Sequence, residues 1–230
     1  LRQSRPFRAF LVAVLAAGCS GGADEQGPPP EPLLPGGYKA VVDVGRSDPG
    51  HLEISDTAEA LRFTTGPAAT AWRPQDTVST GDVRVEASLK VYGAPVSYSE
   101  GYGVFVGGTS MDRPALQRYT YILVRPSGDF TIRRRAGDTV ETVVEWTPHP
   151  AVQPVGIDGA EPVNTLVIQV VAGTTDFLIN GTRVFSMDPG EVAVRGVAGI
   201  RMNHRLDLGL TAWSVGPPPS PAPDSTATGS

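Results

Sequence analysis

The chain has 230 residues, a formal net charge of −5, 40% apolar and 19% charged residues, 27 glycines and 22 prolines. Glycine and proline together stay below the roughly 25–30% that marks low complexity, which excludes a collagen, and no apolar run is long enough for a multi-span membrane protein. Ten of the 22 prolines fall in residues 28–35 and 217–223, so residues 38–215 are expected to form one domain able to bury its own core.

At the N-terminus, Arg2, Arg5 and Arg8 precede an apolar run over residues 10–17, and Gly18-Cys19 follows. That run is too short to span a bilayer, which takes roughly 20 residues, so residues 1–18 read as a signal peptide. Ala16-Ala17-Gly18, directly before the single cysteine, resembles the lipobox of bacterial lipoproteins. The resemblance implies cleavage before Cys19 and acylation of its thiol and its new amino group. The protein is then expected outside the cytoplasm in the bacterial cell envelope, held to a membrane by lipid, with no cysteine left for a disulfide. Losing three arginines takes the charge from −5 to −8, so nucleic acid, which is bound largely through neutralised phosphates, is not an expected partner.

Residues 19–37, rich in Gly and Pro, read as a lipidated, extended tether, and residues 216–230 as a disordered tail. Between them the dominant period is two. Val83, Val85, Ala87, Leu89 and Val91 alternate with Arg84, Glu86, Ser88 and Lys90, the pattern of a half-buried strand. Leu166/Ile168/Val170, Val140/Val144/Trp146 and Leu206/Leu208/Leu210 repeat it. Turn signals separate these runs, the strongest being Asn180-Gly181, since a type I′ turn needs positive φ at both central positions. One short helical turn is expected at residues 55–61, and a long proline-marked loop at 147–162. Ten to twelve short strands of this kind predict an all-β, two-sheet antiparallel sandwich.

Three segments carry a family resemblance: residues 119–135 (YTYILVRPSGDFTIRRR), residues 164–184 (N-x-L-x-I-x-V, then F-x-I-N-G-x-x-V) and residues 196–201 (G-x-A-G-I-R). Together they resemble the concanavalin A-like lectin/glucanase sandwich, in particular laminin-G-like and 3-keto-disaccharide hydrolase-like domains of bacterial lipoproteins. The resemblance implies a jelly roll with one concave face and a carbohydrate ligand, and it assigns no catalytic residue.

Searching the residues for chemistry gives little that points to catalysis. Glu141 and Glu145 lie four residues apart on a strand, about 13 Å, too far for a glycosidase pair, and read as a solvated face. Trp146 and Trp213 read as core. His51, His149 and His204 are isolated, no Cys/His metal spacing occurs, and calcium, frequent in this fold, lacks a dense Asp/Asn loop. No cofactor is expected, with calcium kept as the one alternative. Residues 101–108 (GYGVFVGG) read as a strand whose glycines permit close packing or a bulge.

Aromatics offer more. Tyr119 and Tyr121, two apart on a strand, share a face opposite Thr120, Ile122 and Val124, and Arg133 and Arg135 project from the next strand. These four residues are the expected ligand-binding set, with Trp72, Tyr102, Asn203 and His204 as weaker members. The leading expectation is non-catalytic binding of a glycan or another envelope component. The alternatives are a hydrolase of a (3-keto) disaccharide and an assembly lipoprotein with a protein partner.

Overall fold

The structure is a computed structural model that describes residues 33–43, 52–79, 81–156 and 158–219. The signal peptide, Cys19, residues 20–32 of the tether and residues 220–230 of the tail lie outside the described residues.

Fourteen strands form: β1 (Lys39–Val42), β2 (Leu52–Asp56), β3 (Leu61–Thr65), β4 (Ala69–Val78), β5 (Val83–Val91), β6 (Tyr102–Thr109), β7 (Arg118–Val124), β8 (Asp129–Ala136), β9 (Thr139–Pro148), β10 (Val163–Val171), β11 (Thr174–Ile179), β12 (Thr182–Met187), β13 (Gly196–Met202) and β14 (Asp207–Gly216). They build two seven-stranded antiparallel sheets, ordered β1-β4-β13-β6-β7-β8-β9 (sheet A) and β12-β11-β10-β5-β14-β3-β2 (sheet B). The all-β sandwich expected from the periodicity is therefore present. The strand count exceeds the ten to twelve expected, because the short edge strands β1 and β2 offer four and five residues with little alternation to read. The expected helical turn at residues 55–61 does not form. β2 runs through Asp56 instead, and a tight turn follows, closed by the Thr57 hydroxyl, which donates to the Ala60 carbonyl at 2.8 Å and accepts from its amide at 3.2 Å.

The core lies between the sheets and follows the period of two. Val83, Val85, Ala87, Leu89 and Val91 of β5 are buried against Ile122, Val124 and Ile132 of sheet A, each Val, Leu or Ile side chain contributing roughly 1.5–3 kcal/mol. Asn180 and Gly181 take φ of 49° and 80°, the two positive values of the anticipated I′ turn. The Asn180 side chain does more than turn the chain. Its Oδ1 accepts the Thr165 amide at 2.8 Å, and its Nδ2 donates to the Ala151 carbonyl at 2.8 Å and to Asn164 Oδ1 at 2.9 Å. Asn164 in turn clasps the backbone of Gln153 through both its amide atoms. The two asparagines of the N-x-L…F-x-I-N-G pattern thus pin the loop that follows β9.

Sheet A is curled. Asp43, at the end of edge strand β1, is still paired to the sheet through its amide and the Ala68 carbonyl at 2.7 Å. Arg135 projects from β8, five strand spacings away, which is roughly 24 Å along a flat sheet. Yet Arg135 Nη1 donates to Asp43 at 3.0 Å, and Arg201 Nη2 of β13 donates to the same carboxylate at 2.6 Å. Side chains meet across that span only if the face turned away from sheet B is concave.

β9 departs from the expected alternation. Its register against β8 shifts between Phe130 and Ile132 and again between Ile132 and Arg133. Val144 therefore packs on the inter-sheet core while Trp146 lands on the opposite, outer face. The expectation that Trp146 shares the face of Val144 fails for that reason, since a bulge reverses the direction of every residue beyond it.

Two predictions follow from these contacts. Asn180→Ala should destabilise the domain by about 2–4 kcal/mol, combining unsatisfied buried amides with a strained left-handed residue. Asn180→Gly, which restores the turn alone, should recover only part of that loss in chemical denaturation. Asp43→Asn should cost about 2–4 kcal/mol at neutral pH by leaving two guanidiniums unpaired. Burial works against the Asp43 carboxylate, but its bonds to Arg201 and Arg135 hold its pKa below the ordinary value. Its stabilisation is then fully present above the unfolded value of about 3.9 and is lost as pH falls below it. The gap between the wild type and Asp43→Asn should accordingly narrow in denaturation curves taken below about pH 4.

Candidate functional site

On β7, Thr120, Ile122 and Val124 point towards the core side, leaving Tyr119, Tyr121 and Leu123 on the outer face of sheet A. There they join Trp72 of β4, Phe105 of β6 and Met111 in a second apolar cluster separate from the inter-sheet core. Ring centroids of Phe105 and Tyr119 are 4.9 Å apart, and those of Tyr119 and Tyr121 5.3 Å. Flat rings fit here because glycines lie beneath them. A Cβ on Gly199 would come within 2.6 Å of the Phe105 ring, and one on Gly101 within 2.6 Å of the Trp146 ring.

Above this floor sits a charged group. Tyr121 lies within electrostatic reach of Arg201, Arg133 and Arg135. Asp43 ties Arg135 and Arg201 together, and Arg135 also donates to the carbonyls of Gly137 and Pro114. Burial works against charge on Arg201, but Tyr119 and Asp43 outweigh it and raise its pKa. Among the described residues the Nε and Nη1 of Arg201 are buried without a hydrogen-bond partner. Burial likewise raises the pKa of Tyr119 and Tyr121, so both phenols are neutral donors at physiological pH. Next to them is Trp146, half-buried, with the guanidinium of Arg125 4.7 Å and that of Arg133 5.9 Å from its ring centroid. Arg125 is itself neutralised by Asp129 at 3.0 Å, whereas among the described residues the Arg133 side chain makes one hydrogen bond, from Nε to the Thr131 hydroxyl at 3.3 Å.

The eight residues singled out from the sequence fall in three different settings. Tyr119, Tyr121, Arg133 and Arg135 do gather on the outer face, joined by Trp72. Their expected roles need correction, however. The rings of Tyr119 and Tyr121 are only 4% and 5% exposed, packed on Phe105 and on each other, so they offer no stacking face. Trp72 is buried as well, at one wall of a cleft of about 310 Å³ shared with Lys39, Pro74 and Met111. Arg135 is spent on Asp43 and two carbonyls. Tyr102 is not a surface residue at all. It lies in the inter-sheet core, where burial pushes its pKa up to about 12 and its hydroxyl meets Asn164. Asn203 and His204 sit in the turn after β13, where the Asn203 amide donates to the Gly101 carbonyl at 2.9 Å and exposed His204 lies 3.6 Å from Glu100.

Trp146, Arg201 and Asp43 were missed. Arg201 stood in view as the last residue of G-x-A-G-I-R, but its partner Asp43 is 158 positions away, and nothing local links them. Glu141 and Glu145 are both exposed, as expected for a solvated face, and Glu141 pairs with Arg134 at 3.0 Å. Among the described residues, no three His, Cys, Asp or Glu side chains gather as a metal site requires.

No protein-family model matches the chain, and no curated protein matches its sequence. Solved structures do match its shape. A carbohydrate-binding module of type CBM66 from Bacillus subtilis superposes with a TM-score of 0.57 at 7% identity, over 78% of this chain and 94% of that one. A Bacillus subtilis protein of unknown function with a galectin-like fold gives 0.52 at 13% identity, over 77% and 88%. The carbohydrate recognition domain of Emp46p, in a metal-free form, gives 0.51 at 11% identity, over 78% and 87%. At these identities the likeness is one of fold alone: this chain shares the two-sheet β-sandwich of these structures.

Proposed function

We propose that the protein is a non-catalytic glycan-binding module that takes its ligand on the concave outer face of sheet A. The observation that carries this reading is Trp146, half-exposed beside two guanidiniums on a curled sheet. An aromatic face provides the apolar platform a sugar ring packs on, and the Arg133 fork and the Tyr121 phenol supply hydrogen-bond donors for its oxygens. That a carbohydrate-binding module and a carbohydrate recognition domain share the fold supports the reading.

Binding is favoured over hydrolysis by the state of the carboxylates on this face. A glycosidase acid needs a raised pKa. Asp43 is held below the ordinary value by its arginines despite burial, and Asp129 by Arg125 and Ser127. Neither is suited to deliver a proton at neutral pH.

The module would work at the bacterial envelope, fixed to a membrane by acyl chains on Cys19, with a glycan or other envelope component as its ligand. Two measurements check these claims. In affinity electrophoresis of the full chain against a panel of polysaccharides, Trp146→Ala should weaken retention at least about tenfold, the effect of losing a central aromatic anchor, while circular dichroism stays unchanged. Undiminished retention would remove this face from the account. In a bacterial host, Cys19→Ser should move the protein from the membrane to the soluble fraction and abolish labelling by a fatty-acid analogue.

A further inference from the structure

The outer face of sheet A is under-neutralised. Three guanidiniums, those of Arg133, Arg135 and Arg201, lie within electrostatic reach of Tyr121. Among the described residues the hydrogen bonds place one carboxylate with them, Asp43, and it is shared between Arg135 and Arg201. Arg201 keeps two buried nitrogens without a partner. Among the described residues Arg133 makes no ion pair, although the chain as a whole carries −5. Positive charge left unpaired in a partly desolvated site is costly, and an incoming anion would offset that cost.

Resting on the glycan reading above, we infer that this face selects an acidic sugar, whose oxyanion is bound by Arg133 beside the ring seated on Trp146. Arg133 is the member that reaches the surface, and its guanidinium stands over the Trp146 ring at 5.9 Å. A sugar packed on that ring carries its substituents into the reach of the fork, whose Nη atoms have no hydrogen-bond partner among the described residues. Arg201 and Arg135 act from beneath, as fixed positive charges that strengthen the hold on the anion. A uronate carboxylate and a sulfate ester share this chemistry, and the uronate, planar like the guanidinium, fits a two-pronged contact better.

The test is calorimetric titration of the full chain with oligomers of galacturonate and mannuronate, with their carboxyl-reduced counterparts, and with dextran sulfate. Oligouronides should bind at least about tenfold more tightly than the reduced forms, and the advantage should shrink as salt rises. Arg133→Gln should abolish that preference. Arg183→Gln removes the same charge from exposed β12 of sheet B, 66% exposed at the side chain, and should preserve it. Equal binding of acidic and reduced oligomers, lost on Trp146→Ala, would overturn the anion subsite and leave the glycan site standing. Equal losses in the two arginine variants would overturn it as mere bulk charge. Binding of dextran sulfate alone would replace the uronate by a sulfate ester. If none of the probes bind, both the subsite and the glycan reading fall.

Discussion

The Asp43 carboxylate, gripped by Arg135 from one side of a sheet and Arg201 from its middle, is the contact on which the rest of this surface depends. A sheet twisted by the ordinary chirality of its strands already tends to coil, and the shared carboxylate fastens that coil so that the outer face becomes a trough. The trough gives aromatic residues neighbours on a side that sheet B never covers, which is why Tyr119, Tyr121 and Phe105 are as dry as core residues. The same closure desolvates the arginines, and so makes their charge matter.

The two faces of sheet A are thus held by different physics. The inner face is apolar packing against sheet B, continuous from Val85 to Ile132 and indifferent to pH. The outer face is a thin aromatic layer under a web of charge-assisted hydrogen bonds. Glycines set the depth of that layer, because Gly101 and Gly199 let rings settle on backbone where any side chain would lift them. A trough floored by rings, walled by arginines and open at Trp146 is suited to a flat, hydroxylated and negatively charged ligand.

The sandwich was legible because its information is local. Alternation in β5, the Asn180-Gly181 turn and the opposed faces of β7 can each be read within about ten residues, and each stands as read. The outer-face grouping of Tyr119, Tyr121, Arg133 and Arg135 was legible for the same reason, since β7 and β8 form a simple hairpin. What escaped is non-local or depends on an irregularity. Two bulges in β9 redirect Trp146, and no residue type announces a bulge of that kind. Tyr102 shares the parity of Val104 and Val106, which puts it in the core with them. Whether an arginine is free or spent cannot be read from a chain with 17 of them, because that depends on where Asp43 arrives.

The central claim is that ligand meets the protein at Trp146 on the concave face. Its most direct test follows the three tryptophan indole N–H resonances in solution while an oligouronide is added. Trp146 stands half-exposed beside Arg133, Trp72 is buried in the floor, and Trp213 is tied to Asp76 by a 2.8 Å hydrogen bond between the sheets. The account predicts a saturable shift of the Trp146 resonance with Trp213 unmoved. A shift confined to Trp213, or saturable binding that leaves Trp146 where it was, would contradict it.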